Sequence, residues 1–208
     1  MPEPIRLVVL LSGGGTTLQN LLDQIADGRL NATITRVISN RSDAFGLQRA
    51  QSANIPTMVI TRKSQPTREA FSEAIFTVCR AESAQLVVLA GFLARLSIAP
   101  DFVHRVINIH PSLLPAFGGQ GMYGHHVHEA VLAFGAKVSG CTVHFADDDY
   151  DHGPIIAQRA VPVLDEDTPE RLAARVFEQE CEVYPEVIHL VASGRLRLDG
   201  RVVRRLPG

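Results

Sequence analysis

The chain has 208 residues, 46% of them apolar, with 20 basic and 22 acidic side chains and a formal net charge of −2. That length suits one α/β domain and a sizeable core, and the charge balance argues against a nucleic-acid footprint. Cys79, Cys141 and Cys181 are odd in number and form no CxxC pair, so neither a disulfide framework nor a thiolate zinc site is indicated, and the reducing cytoplasm is the expected compartment.

The N-terminal run IRLVVLL (Ile5–Leu11) is too short to span a bilayer and reads as a strand buried on both faces, not a signal peptide. SGGGTTL (Ser12–Leu18) follows. Three glycines turn the chain, and a helix is expected from about Thr17 to Asp27, with Leu18, Leu21, Leu22 and Ile25 on one face. Outward N–H groups and the helix dipole at such a turn favour an anion. The pattern G-x-x-x-x-G-K-S/T is absent. The dinucleotide fingerprint fails too, because Leu18 stands where its third Gly belongs and the second strand ends in Asn40, not an acid. A single phosphate, helped by the Thr16 and Thr17 hydroxyls, fits better; a plain strand–helix turn is the other reading.

Thr33–Asn40 is the second strand, a helix is expected near Phe45–Ala53, and Thr57–Thr61 is a third strand. Thr67–Glu82 reads as a helix, and QLVVLAG (Gln85–Gly91) and RVINI (Arg105–Ile109) as further buried strands. This alternation predicts a doubly wound, mostly parallel α/β sheet.

At the end of the last of these runs, VINIHPSLLPAF carries Asn108 and His110, which project from the same face of a strand that Pro111 terminates. An amide and an imidazole aimed at one spot at a strand's carboxyl end suit a carbonyl that develops negative charge under attack. Two satisfied polar side chains are the bland alternative. Past this point lies FGGQGMYGHHVHEAV, whose Gly118, Gly119, Gly121 and Gly124 leave a mobile flap and an ordered turn both open. His125, His126 and His128 fall on an expected helix and read as surface or packing residues.

Ser139–Ala146 and Pro154–Val163 alternate more and read as antiparallel or edge strands. Between them ADDDYDHGPII sets Asp147, Asp148, Asp149 and Asp151 before a Gly-Pro turn. A carboxylate from this loop would fix the His110 tautomer and keep the ring protonated. Metal binding with His144 or His152 is the rival use, and no ligand spacing supports it. A long helix is expected from Thr168 to about Ala192, with Pro169 at its first position and a kink at Pro185. LRLDGRVVR then closes as a hairpin around Asp199-Gly200. No repeat or linker interrupts the chain, so residues 1–208 read as one domain.

Together, VVLLSGGGTTLQ, SNRSDAFGLQRA, LAGFLARL, NIHPSLLP, DHGPII and the helix containing FEQE resemble the folate-dependent phosphoribosylglycinamide formyltransferase family over nearly the whole chain. SLLP alone is shared with other folate formyltransferases. The glycine turn with SNRSDAFGL narrows the likeness to this family and its formyltetrahydrofolate-hydrolase relatives, which usually carry an extra N-terminal domain ahead of the first strand. The resemblance implies a Rossmann-like formyltransferase fold, with phosphate-substrate binding in the N-terminal half and folate binding in the C-terminal half. It implies 10-formyltetrahydrofolate as co-substrate, no metal, and small-molecule partners (glycinamide ribonucleotide and reduced folate). No nucleic acid or membrane is expected, and the state would be monomer or homodimer. By the same resemblance Asn108 and His110 polarise the formyl group and Asp151 pairs with His110. Gly15, Thr16 and Thr17 hold the substrate phosphate, and Glu180 holds the glycinamide. Arg68, Leu93, Ala94, Arg95, Leu96, Asn108, Asp147, Asp148, Asp149, Tyr150 and Asp151 line up with folate contacts. Two departures stand out. The family's turn is often GNGSN where this chain has GGGTT, so Thr17 replaces an amide. Ala94 stands where an Arg directly follows the equivalent of Leu93. A hydrolase, and a phosphate-binding protein without catalysis, are the two other readings.

Overall fold

Strand β1 (Ile5–Leu11) is completely enclosed from Leu7 onward, as an unbroken aliphatic run between two covered faces requires. The computed structural model describes residues 3–207, which form two units, the first ending at Ile107 and the second starting at Asn108.

In the first unit β1 leads through the glycine turn into α1 (Thr16–Ala26), which buries Leu18 and Leu21. Then come β2 (Ala32–Ser39), α2 (Phe45–Ser52), β3 (Thr57–Val59), α3 (Arg68–Ala81) and β4 (Leu86–Leu89). β2 and β4 flank β1 in parallel, and β3 pairs in parallel with β2. The order is β3-β2-β1-β4-β5, and β5 (Val106–His110) begins in this unit. α3 starts where Thr67 accepts the Ala70 N–H at 3.1 Å, an N-cap that satisfies one orphan donor. Most boundaries differ from expectation by a residue or two, and two of the differences have a visible cause. α1 begins one residue early, at Thr16, because Gly15 takes the left-handed conformation (φ +72) and lets the chain turn straight into helix. β3 stops at Val59, and Arg62–Ser64 then form a short 3-10 turn.

In the second unit the order is β5-β6-β7, with β6 (Val138–Phe145) and β7 (Ile155–Pro162) antiparallel. β6 does not alternate: every residue after Val138 is buried, since it is an interior strand while β7 forms the edge. Gly140 and Gly153 are fixed by close approach. A Cβ would lie 1.9 Å from the Arg159 carbonyl in the first case and 1.8 Å from the Phe145 carbonyl in the second. α4 (His125–Phe134) follows the glycine-rich stretch, and α5 (Pro169–Ala192) runs on through Pro185. Thr168 caps α5, and Asp167 grips Arg175 about two turns in, at 2.7 Å. β8 (Leu196–Asp199) and β9 (Val202–Arg205) form a separate antiparallel pair. Among the described residues no helix is long and apolar enough to cross a membrane.

Candidate active site

In the first unit the expected phosphate turn is a packed feature. The Gly46 N–H donates to the Gly13 carbonyl at 3.0 Å, and the Arg49 Nε donates to the Gly14 carbonyl at 2.9 Å. Any Cβ at Gly15 would stand 2.6 Å from the Gly46 Cα, so both positions need glycine for this approach. Gly15 offers no side-chain cap to α1, and Gly13, Gly14 and Thr16 are exposed. Thr16 and Thr17 therefore open a helix whose first N–H groups lack a side-chain acceptor, a geometry that attracts an anion. Gly46 and Arg49 were not singled out from sequence. The Gly following Phe45 at the start of a helix was the only local signal.

The segment Leu93–Leu96 lies beyond β4, and the Leu93 N–H donates to Ser12 Oγ at 2.8 Å, beside the glycine turn. Leu93 is exposed, Ala94 half-buried, Arg95 exposed and Leu96 buried. Arg68 opens α3 and faces Glu69 at 3.4 Å.

In the second unit β5 brings Asn108 and His110 together as the two-residue period requires. His110 Nε2 lies 2.8 Å from the Phe117 carbonyl, and its Nδ1 lies 3.4 Å from Asp151 Oδ2. Asp151 Oδ2 also accepts the Gly119 N–H at 2.9 Å. Asn108 Nδ2 stands 3.4 Å from Asp151 Oδ1 and 3.2 Å from His144 Nε2. The His144 Nδ1 faces the Phe145 carbonyl at 2.9 Å, and its Nε2 lies 3.7 Å from Asp151 Oδ1 as well as beside Asn108. His144 is thus a fourth member of the cluster, where sequence alone offered it only as a rival metal ligand. Its signal was a lone imidazole in an otherwise uncharged, buried run.

The electrostatics correct one expectation. Burial is the largest influence on His110 and holds its pKa below the usual 6.5, although Asp151 and the Phe117 carbonyl push it upward. The ring is therefore neutral at neutral pH, not held protonated by Asp151. Both ring nitrogens nevertheless face acceptors, and a neutral imidazole has a proton for only one. Asp151 feels the opposite balance: burial raises its pKa, but the bond with His144, the His110 charge and the Gly119 N–H together pull it below the ordinary range.

Asp147 accepts from the Asp149 N–H at 3.0 Å and pairs with His152 at 2.7 Å, while Asp148, Asp149 and Tyr150 are exposed. Glu180 lies on α5. The residue keeps some accessible surface, yet desolvation of its carboxyl pushes the pKa up to about 7. Cys141, fully buried on β6, has its thiol raised to about 12 by burial and then by the nearby Glu180 charge.

The family model for formyl transferase matches residues 5–188. The chain is 39% identical to the phosphoribosylglycinamide formyltransferase of Escherichia coli, over 93% of this chain and 90% of that one. It is also 39% identical to the chloroplastic phosphoribosylglycinamide formyltransferase of Arabidopsis thaliana, over 94% of this chain and 68% of that one. The solved glycinamide ribonucleotide transformylase 1 of Symbiobacterium toebii is similar with a TM-score of 0.90 and 43% identity, covering 98% and 95% of the two chains. A formyltetrahydrofolate deformylase from Pseudomonas syringae shares the fold alone, at 24% identity and a TM-score of 0.83, with 67% of that chain covered.

Proposed function

This chain belongs to the phosphoribosylglycinamide formyltransferase family, and on that premise we propose that it transfers the formyl group of 10-formyltetrahydrofolate to the amine of N1-(5-phospho-D-ribosyl)glycinamide. The products are formylglycinamide ribonucleotide and tetrahydrofolate, a step of de novo purine synthesis, with the cytoplasm as compartment. The single observation that carries the residue assignment is the enclosed cluster of Asn108, His110 and Asp151 at the end of β5.

The roles follow from the chemistry. The substrate amine attacks the formyl carbon, and the carbonyl oxygen gains negative charge. Asn108 and His110 stabilise that oxygen by donating to it. In the resting arrangement their donors serve internal acceptors: Asp151 for Asn108, and Phe117 for His110. The formyl oxygen takes over a donor from each. Asp151, ionised, favours positive charge on the ring and offsets the burial that opposes it, so the His110 donor is strengthened as the oxyanion forms. A proton from the attacking amine reaches the folate leaving nitrogen through water, and the tetrahedral intermediate collapses.

Gly15, Thr16 and Thr17 hold the substrate phosphate at the α1 N-terminus, with Arg49 and Gly46 holding the turn. Glu180 holds the glycinamide. Arg68, Leu93, Ala94, Arg95, Leu96, Asn108, Asp147, Asp148, Asp149, Tyr150 and Asp151 form the folate contacts. Residues 1–208 act as one formyltransferase domain, with the phosphate substrate in the N-terminal half and folate in the C-terminal half. The test is incubation with 10-formyltetrahydrofolate, with and without glycinamide ribonucleotide. Formyl transfer only in the presence of the ribonucleotide supports the assignment. Formate release without it indicates a hydrolase, and binding without turnover a non-catalytic protein.

A further inference from the structure

The chain ends in a hairpin that buries little of its own surface, with no residue of β8 or β9 fully enclosed. It turns at Gly200 (φ +60), and the next residue, Arg201, reaches back 49 positions along the chain. The Arg201 Nη2 donates to the His152 carbonyl at 2.5 Å, and its Nη1 lies 3.4 Å from His152 Nε2. His152 Nδ1 is in turn 2.7 Å from Asp147 Oδ2. A chain of polar contacts, Arg201 to His152 to Asp147, thus closes the acid loop across its two ends.

What lies between those ends is Asp151. Its backbone is left-handed (φ +53), a conformation that a non-glycine residue keeps only where its surroundings hold it. Gly153, just beyond, is seated on the Phe145 carbonyl and fixes one side of the loop. The remaining freedom is a swing of Asp151 and His152, and the guanidinium opposes it by gripping the carbonyl of the residue that follows Asp151. An Arg does this better than a Lys, because its planar fork presents neighbouring N–H groups to both acceptors of His152. A swing of this loop would carry the Asp151 carboxylate away from His110 and Asn108, where small displacements are costly to a reaction.

We propose that Arg201 is a positioning residue for formyl transfer: the C-terminal hairpin clamps the Asp147–Gly153 loop through His152, and so keeps Asp151 against His110. This deepens the functional reading above and rests on Asp151 acting in that reaction. Arg201 acts through the loop and not on substrate.

The test compares the full chain with Arg201→Ala and Arg201→Lys by hydrogen exchange of the 147–153 segment, steady-state kinetics for both substrates, and thermal midpoint. Loss of a partly exposed charged hydrogen bond should speed exchange of that segment and lower kcat/KM for the formyl donor, each by roughly tenfold. The ribonucleotide KM and the thermal midpoint should stay near wild type, and Arg201→Lys should recover part of the loss. Unchanged exchange together with unchanged kinetics overturns the proposal. So does a rise in the ribonucleotide KM with a lowered midpoint and unchanged exchange of the 147–153 segment, which is what a merely structural hairpin predicts. Should Arg201→Ala fail to fold, Arg201→Gln is read on the same measures, and a loop as protected as in wild type again overturns it. Absence of formyl transfer by the wild-type protein would strike the functional reading instead, and the exchange comparison would still decide the clamp.

Discussion

His110 Nδ1 and Asp151 Oδ2 stand 3.4 Å apart, with only 4% and 10% of their side-chain surfaces exposed. At that separation and burial the carboxylate is the main influence raising the His110 pKa, against a desolvation that lowers it further. Asp151→Asn keeps the shape and removes the charge. The His110 pKa, already below 6.5, should fall again. Turnover should drop, and the limb of the pH–rate profile that reports His110 should move to lower pH. NMR titration of the ring in both proteins reads this directly, and an unchanged or raised value in the variant rejects the pairing.

His110→Ala should reduce kcat by about 100- to 1000-fold, the usual cost of removing one donor from a developing oxyanion. His110 donates to the formyl oxygen and not to the ribonucleotide phosphate, so ribonucleotide affinity by calorimetry should change little. Near-normal turnover would remove His110 from the chemistry.

The strand period was enough to pair Asn108 with His110, because β5 is regular and Pro111 ends it. Asp151 was harder. Its approach depends on a left-handed backbone at a non-glycine residue and on the Gly119 N–H, and neither has a local sequence signature. His144 was read only as a rival metal ligand because the antiparallel register of β6 and β7 shifts between Val143 and His144, an irregularity that alternation cannot show. Reading Ser139–Ala146 and Pro154–Val163 as antiparallel or edge strands left open which is the edge; the unbroken burial of β6 makes it interior, with β7 outermost. The helix start at Thr16 was off by one residue because the left-handed Gly15 shortens the turn. The sign of the His110 shift was misjudged because charge pairing can be guessed from neighbours, whereas desolvation depends on everything packed around the ring.

Thr17→Asp should raise KM for the ribonucleotide far more than KM for the folate. Gly15 gives α1 no side-chain cap, so a carboxylate at Thr17 would compete with a phosphate for the same N–H groups. Initial-rate kinetics with each substrate varied in turn measures both constants. Equal changes would place the phosphate elsewhere.

His128 should make folding pH-dependent. The ring is 4% exposed, its Nδ1 has no hydrogen-bond partner, and burial, followed by the charges of His125 and His110, lowers its pKa to about 4. Between about pH 6.5 and 4 the unfolded chain binds a proton that the native ring refuses. Stability therefore rises with pH in that window: the contribution is fully present above 6.5 and is lost as pH falls toward 4. One proton corresponds to a slope of about 1.4 kcal/mol per pH unit. Urea unfolding of wild type and His128→Gln should show a slope shallower by nearly that amount in the variant, and parallel curves would contradict it.

Glu180 should act in the opposite sense. Its native pKa, about 7, lies above the ordinary 4.5 because desolvation disfavours the carboxylate. Between those values the native state holds a proton that the unfolded chain has released, so this group's contribution to stability falls as pH rises and is gone above about 7. Glu180→Gln should therefore be relatively more stable than wild type above neutrality. The consequence for binding has the reverse sign. If the carboxylate holds the glycinamide, its ionised form is the better acceptor, and the ribonucleotide KM should fall as pH rises through about 7. The substrate amine titrates identically for both proteins, so the difference between wild type and Glu180→Gln isolates the side chain. Kinetics from about pH 6 to about 8 should show that extra dependence in wild type and not in the variant. The same dependence in both proteins would mean that Glu180 does not touch the substrate, and a stability curve unchanged by the substitution would mean that its carboxyl is less desolvated than its place on α5 implies.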